Sequence, residues 1–87
     1  MNYNFPATRF ATENTRLEQF RHIMSEMEEA QEANDVELDE EVMDILHSCE
    51  TYFRMREAQG IDVGKIKVVV EAKNMARGYY QKVKPND

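Results

Sequence analysis

Residues 23–44, IMSEMEEAQEANDVELDEEVMD, decide the reading of this chain. Within them Glu26 and Glu29 stand three residues apart, as do Glu41 and Asp44, and each pair falls in a stretch of helical apolar periodicity. Residues three apart on an α-helix lie about 60° apart around the axis and about 4.5 Å along it. Two such helices facing each other converge four carboxylates on one point, and a hard cation with oxygen ligands relieves that crowding. The pattern predicts a Mg²⁺ or Mn²⁺ site, and with it a phosphate substrate. The competing reading is a solvated acidic face, because carboxylates at this spacing are common on exposed helices.

Working outward, the first helix starts between Thr12 and Thr15, where Thr15-Arg16-Leu17-Glu18 has capping-box spacing, and runs to about Ala33. Leu17, Phe20, Ile23, Met24, Met27 and Ala30 form its apolar stripe. Asn34-Asp35 is the break. Asp39 is the expected N-cap of a second helix, with Val42, Ile45, Leu46, Cys49, Tyr52 and Phe53 as its stripe and Gly60 as its terminator. Asp62 caps a third helix striped by Val63, Ile66, Val69 and Val70 and ending near Gly78. The β-branched run Val68–Val70 also suits a strand, but no second strand exists for it to pair with. Residues 1–11 form an arm carrying Tyr3, Phe5 and Phe10, residues 12–80 a helical domain, and residues 81–87 a frayed polar tail.

Both carboxylate pairs border an apolar stripe, where helices meet; charge that only solubilises sits more often opposite the stripe. Lys73 projects at nearly the angle of Ile66, and Arg77 follows one turn later. Cations on such a face snorkel, pair with a carboxylate, or grip an anionic ligand. His22 and His47 show no zinc-ligand pattern; His47 lies one turn from Asp44, the distance of a residue that orients a ligand. Cys49 reads as a packed thiol.

Composition bounds the function classes. With 87 residues the chain is one small all-α domain that buries only roughly 60% of its unfolded surface, so a metal or a partner subunit is expected to support it. A net charge of −6 argues against a nucleic-acid binder. One cysteine fits a reducing cytoplasm without a disulfide framework, and no apolar run is long enough for a signal or a membrane span.

Ile23–Ala33, then Glu41-Val42-Met43-Asp44, then Lys73-Asn74-Met75-Ala76-Arg77 after the Gly60-Ile61-Asp62 turn, resemble in order and spacing the motifs of the MazG-like all-α nucleoside triphosphate pyrophosphohydrolases. The resemblance spans residues 20–80. It implies a bundle of three main helices per chain, with a four-helix-type core completed in a homodimer or homotetramer. It implies Mg²⁺ ligation by Glu26, Glu29, Glu41 and Asp44, catalytic roles for Glu26 and Glu29, and triphosphate contacts from Lys73, Asn74 and Arg77. The reaction implied is hydrolysis of a nucleoside triphosphate to the monophosphate and pyrophosphate. Two departures stand out: Ser25 takes the place of the first Glu of the family's Glu-Glu pair, and the N-terminal part is short, which leaves base recognition to the arm, with Phe5 and Phe10 as the stacking candidates, or to another subunit. The alternative is a noncatalytic MazG-like adaptor whose acidic face binds a protein.

Overall fold

Thr15 opens the first long helix as its spacing predicts. The Thr15 hydroxyl accepts the Glu18 backbone N–H at 3.2 Å, and the Glu18 carboxylate accepts that of Thr15 at 2.9 Å. In the computed structural model, which describes residues 1–82, the helices are α1 (Phe10–Glu13), α2 (Arg16–Glu32), α3 (Asp35–Ala58) and α4 (Val63–Ala76). The described residues contain no strand, so Val68–Val70 is helical. Of the expected tail, residues 83–87 lie outside the described residues.

Two boundaries differ from expectation. A one-turn helix, α1, forms where the arm, which shows no helical period, is expected to give way to the first long helix. More consequentially, α3 begins four residues before the Asp39 cap. Asn34 is the N-cap, its side chain accepting from the Glu37 N–H at 2.9 Å. Nothing between Asp35 and Leu38 breaks a helix, and Asp35 and Glu37 in the first turn favour its positive end. The link from α2 to α3 therefore shrinks to Ala33 and Asn34. At the other end Gly60 takes the left-handed conformation (φ 86°) that terminates α3. Asp62 caps α4 by accepting from the Lys65 N–H at 3.0 Å.

The short link folds α2 back antiparallel on α3. Arg16 donates to the Tyr52 hydroxyl at 2.7 Å and Gln19 to the Ser48 carbonyl at 3.0 Å. The seam between the two helices is polar: Gln19, Glu26, Ser48 and Thr51 are buried, while only Met55 and Val63 are fully buried apolar residues among those described. The apolar stripes, expected to form the core, are instead only partly covered: Ile23, Ala30, Ile45, Cys49, Tyr52 and Phe53 are half-buried. Leu17, Phe20, Met24, Met27, Val42 and Leu46 remain exposed. The arm covers a different side of α3. Glu50 accepts the N–H groups of Asn4 and Phe5, both at 2.9 Å, Arg54 donates to the Phe5 carbonyl, and the Arg54 guanidinium lies 4.5 Å from the Tyr3 ring centroid.

Helix α4 leans lightly on α3 alone among the substantial helix contacts. The chain is correspondingly extended: its radius of gyration is 15.9 Å, against about 12 Å for a compact domain of this length. No described helix is long and apolar enough to cross a membrane.

Candidate functional site

The polar seam has an order. Gln19, 1% exposed, receives the Asn14 amide at 3.0 Å and donates to the Ser48 carbonyl, which fixes α2 against α3 at that level. Half a helix later the Ser48 hydroxyl donates to Glu26 Oε1, and His22 Nε2 lies 3.0 Å from the same oxygen. Glu26 is thus drawn inward and held from both helices. His22 in turn tilts against the Phe10 ring (centroids 5.5 Å apart), and His47 stacks on Phe5 (4.5 Å, 12°) while its Nε2 lies 3.2 Å from the Pro6 carbonyl. A cleft of about 290 Å³ opens among these groups, with Glu26 and Asp44 in one wall and Thr8 and Phe10 of the arm segment in another.

The α2–α3 link brings the second half of the acidic set to the first. Glu41 Oε2 is shielded from solvent and meets no hydrogen-bond donor. Loss of solvation raises the Glu41 carboxyl above its ordinary value, and the charges of Glu29, Asp44, Glu26 and Glu37 push it further the same way. The other three carboxylates predicted to converge therefore all act on Glu41. They are not closed into a ligand shell: among the described residues no group of three or more His, Cys, Asp or Glu side chains is arranged to hold a metal ion. The orphaned Glu41 oxygen and the oxygen-only donor set nevertheless suit a hard divalent cation.

Lys73 and Arg77 are not gathered to this cluster. Both are exposed, Asn74 is half-buried, and Arg77 lies over the Tyr79 ring. Lys73 lines a shallow apolar groove on α4 with Ile66, Val69 and Val70. Ser25, at the position where the family motif has Glu, is exposed and donates to the His22 carbonyl. Cys49 is half-buried, its thiol pushed up by burial and by Glu26, as fits a packed group.

Sequence reasoning missed the residues that hold Glu26. The His22–Glu26 spacing of one helical turn is a legible signal; the Ser48 contact from another helix has none. The anchoring of the arm by Glu50 and Arg54 was equally invisible. In comparisons with known proteins, no family model matches the chain, and neither a curated protein nor a solved structure matches it.

Proposed function

We propose that this chain is a Mg²⁺- or Mn²⁺-dependent nucleoside triphosphate pyrophosphohydrolase of the MazG-like kind, cleaving a (deoxy)nucleoside triphosphate to the monophosphate and pyrophosphate in the cytoplasm. The observation that carries this reading is the shielded, unpartnered Glu41 carboxylate oxygen among the charges of Glu26, Glu29 and Asp44. Glu29, Glu41 and Asp44, joined by Glu26, are the residues to hold the cation. When bound, it supplies charge neutralisation at the phosphate oxygens and a more acidic water. Glu26 and Glu29 are the carboxylates placed to accept a proton from that water, Glu26 with its orientation set by Ser48 and His22. Lys73, Asn74 and Arg77 are the triphosphate contacts, and Phe5 and Phe10, beside the cleft, stack on the base. A homodimer or homotetramer is part of the same reading, because the exposed stripes of α2, α3 and α4 need cover.

The adaptor reading draws on a separate observation. Glu26 already has two partners within the chain, which lowers its availability as a ligand. Pyrophosphate release from a panel of deoxynucleoside and ribonucleoside triphosphates, with and without Mg²⁺ or Mn²⁺, separates the two. The enzyme releases pyrophosphate only with metal, and Glu41→Gln and Asp44→Asn abolish release while the helical circular dichroism stays intact. Full turnover by both variants, or no turnover of any triphosphate by the parent chain, overturns the reading.

A further inference from the structure

Glu50 and Arg54 belong to neither the polar seam nor the cleft. With His47 they form a flank of α3 that holds residues 3–6 of the arm, and what this flank reads is mostly main chain. The backbone bends at Asn4 and Phe5. Their two N–H groups converge on the two oxygens of Glu50, each at 2.9 Å, as successive amides do around an anion. Arg54 donates to the Phe5 carbonyl, and His47 Nε2 lies 3.2 Å from that of Pro6. Side chains are gripped at alternate positions. Tyr3 lies under the Arg54 guanidinium and Phe5 stacks on His47, both half-buried, whereas Asn4 and Pro6 are exposed. Pro6 brings no N–H in need of a partner, and it restrains the backbone of Phe5.

We propose that this flank of α3 is a binding site for an aromatic–x–aromatic–proline segment of another protein, with the chain's own arm as its tethered, displaceable occupant. Three observations select that partner. Recognition rests on a bent main chain and two rings, so any segment with those rings and a following proline presents the same groups. The arm is also an imperfect occupant. The Tyr3 hydroxyl is shut from solvent near the Glu57 carboxylate without completing a hydrogen bond, and a buried unpaired hydroxyl weakens binding. Phenylalanine at that position removes the defect, and an external segment can supply it, whereas a second copy brings the same tyrosine. Finally, the hydrogen bonds that join α2 to α3 run through Gln19, Ser48 and Glu26 and use no atom of residues 3–6. The arm can leave without unlocking the hairpin. Glu50 and Arg54 have no part in the proposed hydrolysis, so the two readings stand or fall separately.

The test uses the full chain and an acetylated peptide of residues 2–8 carrying fluorescein at its C-terminus, read by anisotropy. Tyr3→Ser with Phe5→Ser empties the flank, and circular dichroism checks that the helices persist. The peptide should bind this chain, and should bind the parent tenfold or more weakly, because the tethered arm competes at an effective concentration on the order of mM. No binding to the emptied chain at millimolar peptide, or equal binding to both chains, overturns the proposal. Methylating the peptide nitrogen at Phe5, or adding Glu50→Ala to the emptied chain, should each weaken binding tenfold or more, as loss of a hydrogen bond to a charged group implies. Undiminished binding in both overturns the main-chain recognition on which the proposal rests. A peptide carrying Tyr3→Phe should bind about fivefold more tightly or better; one that binds no tighter overturns the choice of an external partner. Parent chain that binds the emptied chain as tightly as the peptide does would assign the flank to arm exchange between copies, with the same consequence. If the emptied chain loses its helical signal, Asn4→Pro replaces it, removing one N–H from Glu50 and leaving α3 untouched. Peptide binding to that chain no tighter than to the parent then overturns the proposal.

Discussion

Replacing Ser48 by Ala tests whether the polar seam holds α2 to α3. Ser48 is 7% exposed and its hydroxyl donates to Glu26, itself 9% exposed. A hydrogen bond to a charged group contributes roughly 1.5–3 kcal/mol, most of it felt when the acceptor is left buried without its donor. Two effects reduce the loss. His22 Nε2 stays 3.0 Å from the same oxygen, which favours the lower half of that range. Alanine is also the better helix former, by about 0.5 kcal/mol. The net expectation is about 1.5 kcal/mol. In a domain of this size each kcal/mol moves Tm by roughly 4–8 °C, so Ser48→Ala should melt about 6–12 °C lower. Thermal circular dichroism at pH 7 and fixed protein concentration measures it, the concentration being held because association also shifts Tm. A double-mutant cycle with Glu26→Ala should return a coupling of about 0.5–3 kcal/mol. A Ser48→Ala melt within about 2 °C of the parent, or zero coupling in the cycle, would refute the claim that this contact keys the two helices.

The remaining expectations are independent of that seam. With metal chelated, the raised Glu41 carboxyl means the folded state holds its proton more tightly than the unfolded chain does. Its contribution to stability is therefore lost as pH rises from the ordinary carboxylate value through the raised one. Glu41→Gln should melt higher than the parent at pH 7, with the gap closing toward pH 4; parallel curves would show no such strain. Millimolar Mg²⁺ or Mn²⁺ should raise the parent Tm and leave that of Asp44→Asn unmoved, and equal shifts in both would remove Asp44 from the site. Asn34→Ala should cost about 1 kcal/mol as a lost cap, whereas Asp39→Ala should leave Tm nearly unchanged; the opposite order would return the start of α3 to Asp39. Lys73→Ala should lower turnover tenfold or more, as loss of one charge-assisted contact implies, without lowering the stability of the isolated chain. Normal kinetics in a destabilised protein would identify Lys73 as structural.

Local chemistry made most of the helices legible. Thr15 with Glu18, Gly60, Asp62 and Gly78 each act through neighbours three or four residues away, so their signals are contained in the sequence. Asp39 misled for the same reason: it has the chemistry of a cap, but Asn34 has it too and comes first in an unbroken run. Spacing plus a hairpin predicts convergence of Glu26, Glu29, Glu41 and Asp44; the structure shows burial and the charges of the other three raising Glu41, without a closed ligand group among the described residues. Periodicity identified the apolar stripes, yet it names a face to be covered and not what covers it. Gln19 and Ser48, on the flanks of the stripes, became the inside because their hydrogen bonds cross between helices. Such a pairing has no period.

The arm's fastenings have a kinetic side. Its hydrogen bonds to Glu50, Arg54 and Thr51 span 43 to 49 residues of chain, while the α2–α3 hairpin closes through a two-residue link. Loop closure over such distances comes late, so the hairpin forms first and the arm docks on a finished surface. In the native protein the order reverses, and the arm opens before the hairpin does, because its attachments are mostly polar. The Asn4 and Phe5 amides, protected only by Glu50, should exchange with solvent faster than those of α3, and at the same rate as each other. Since Thr8 and Phe10 wall the cleft beside Glu26 and Asp44, release of the arm as a whole uncovers that cleft.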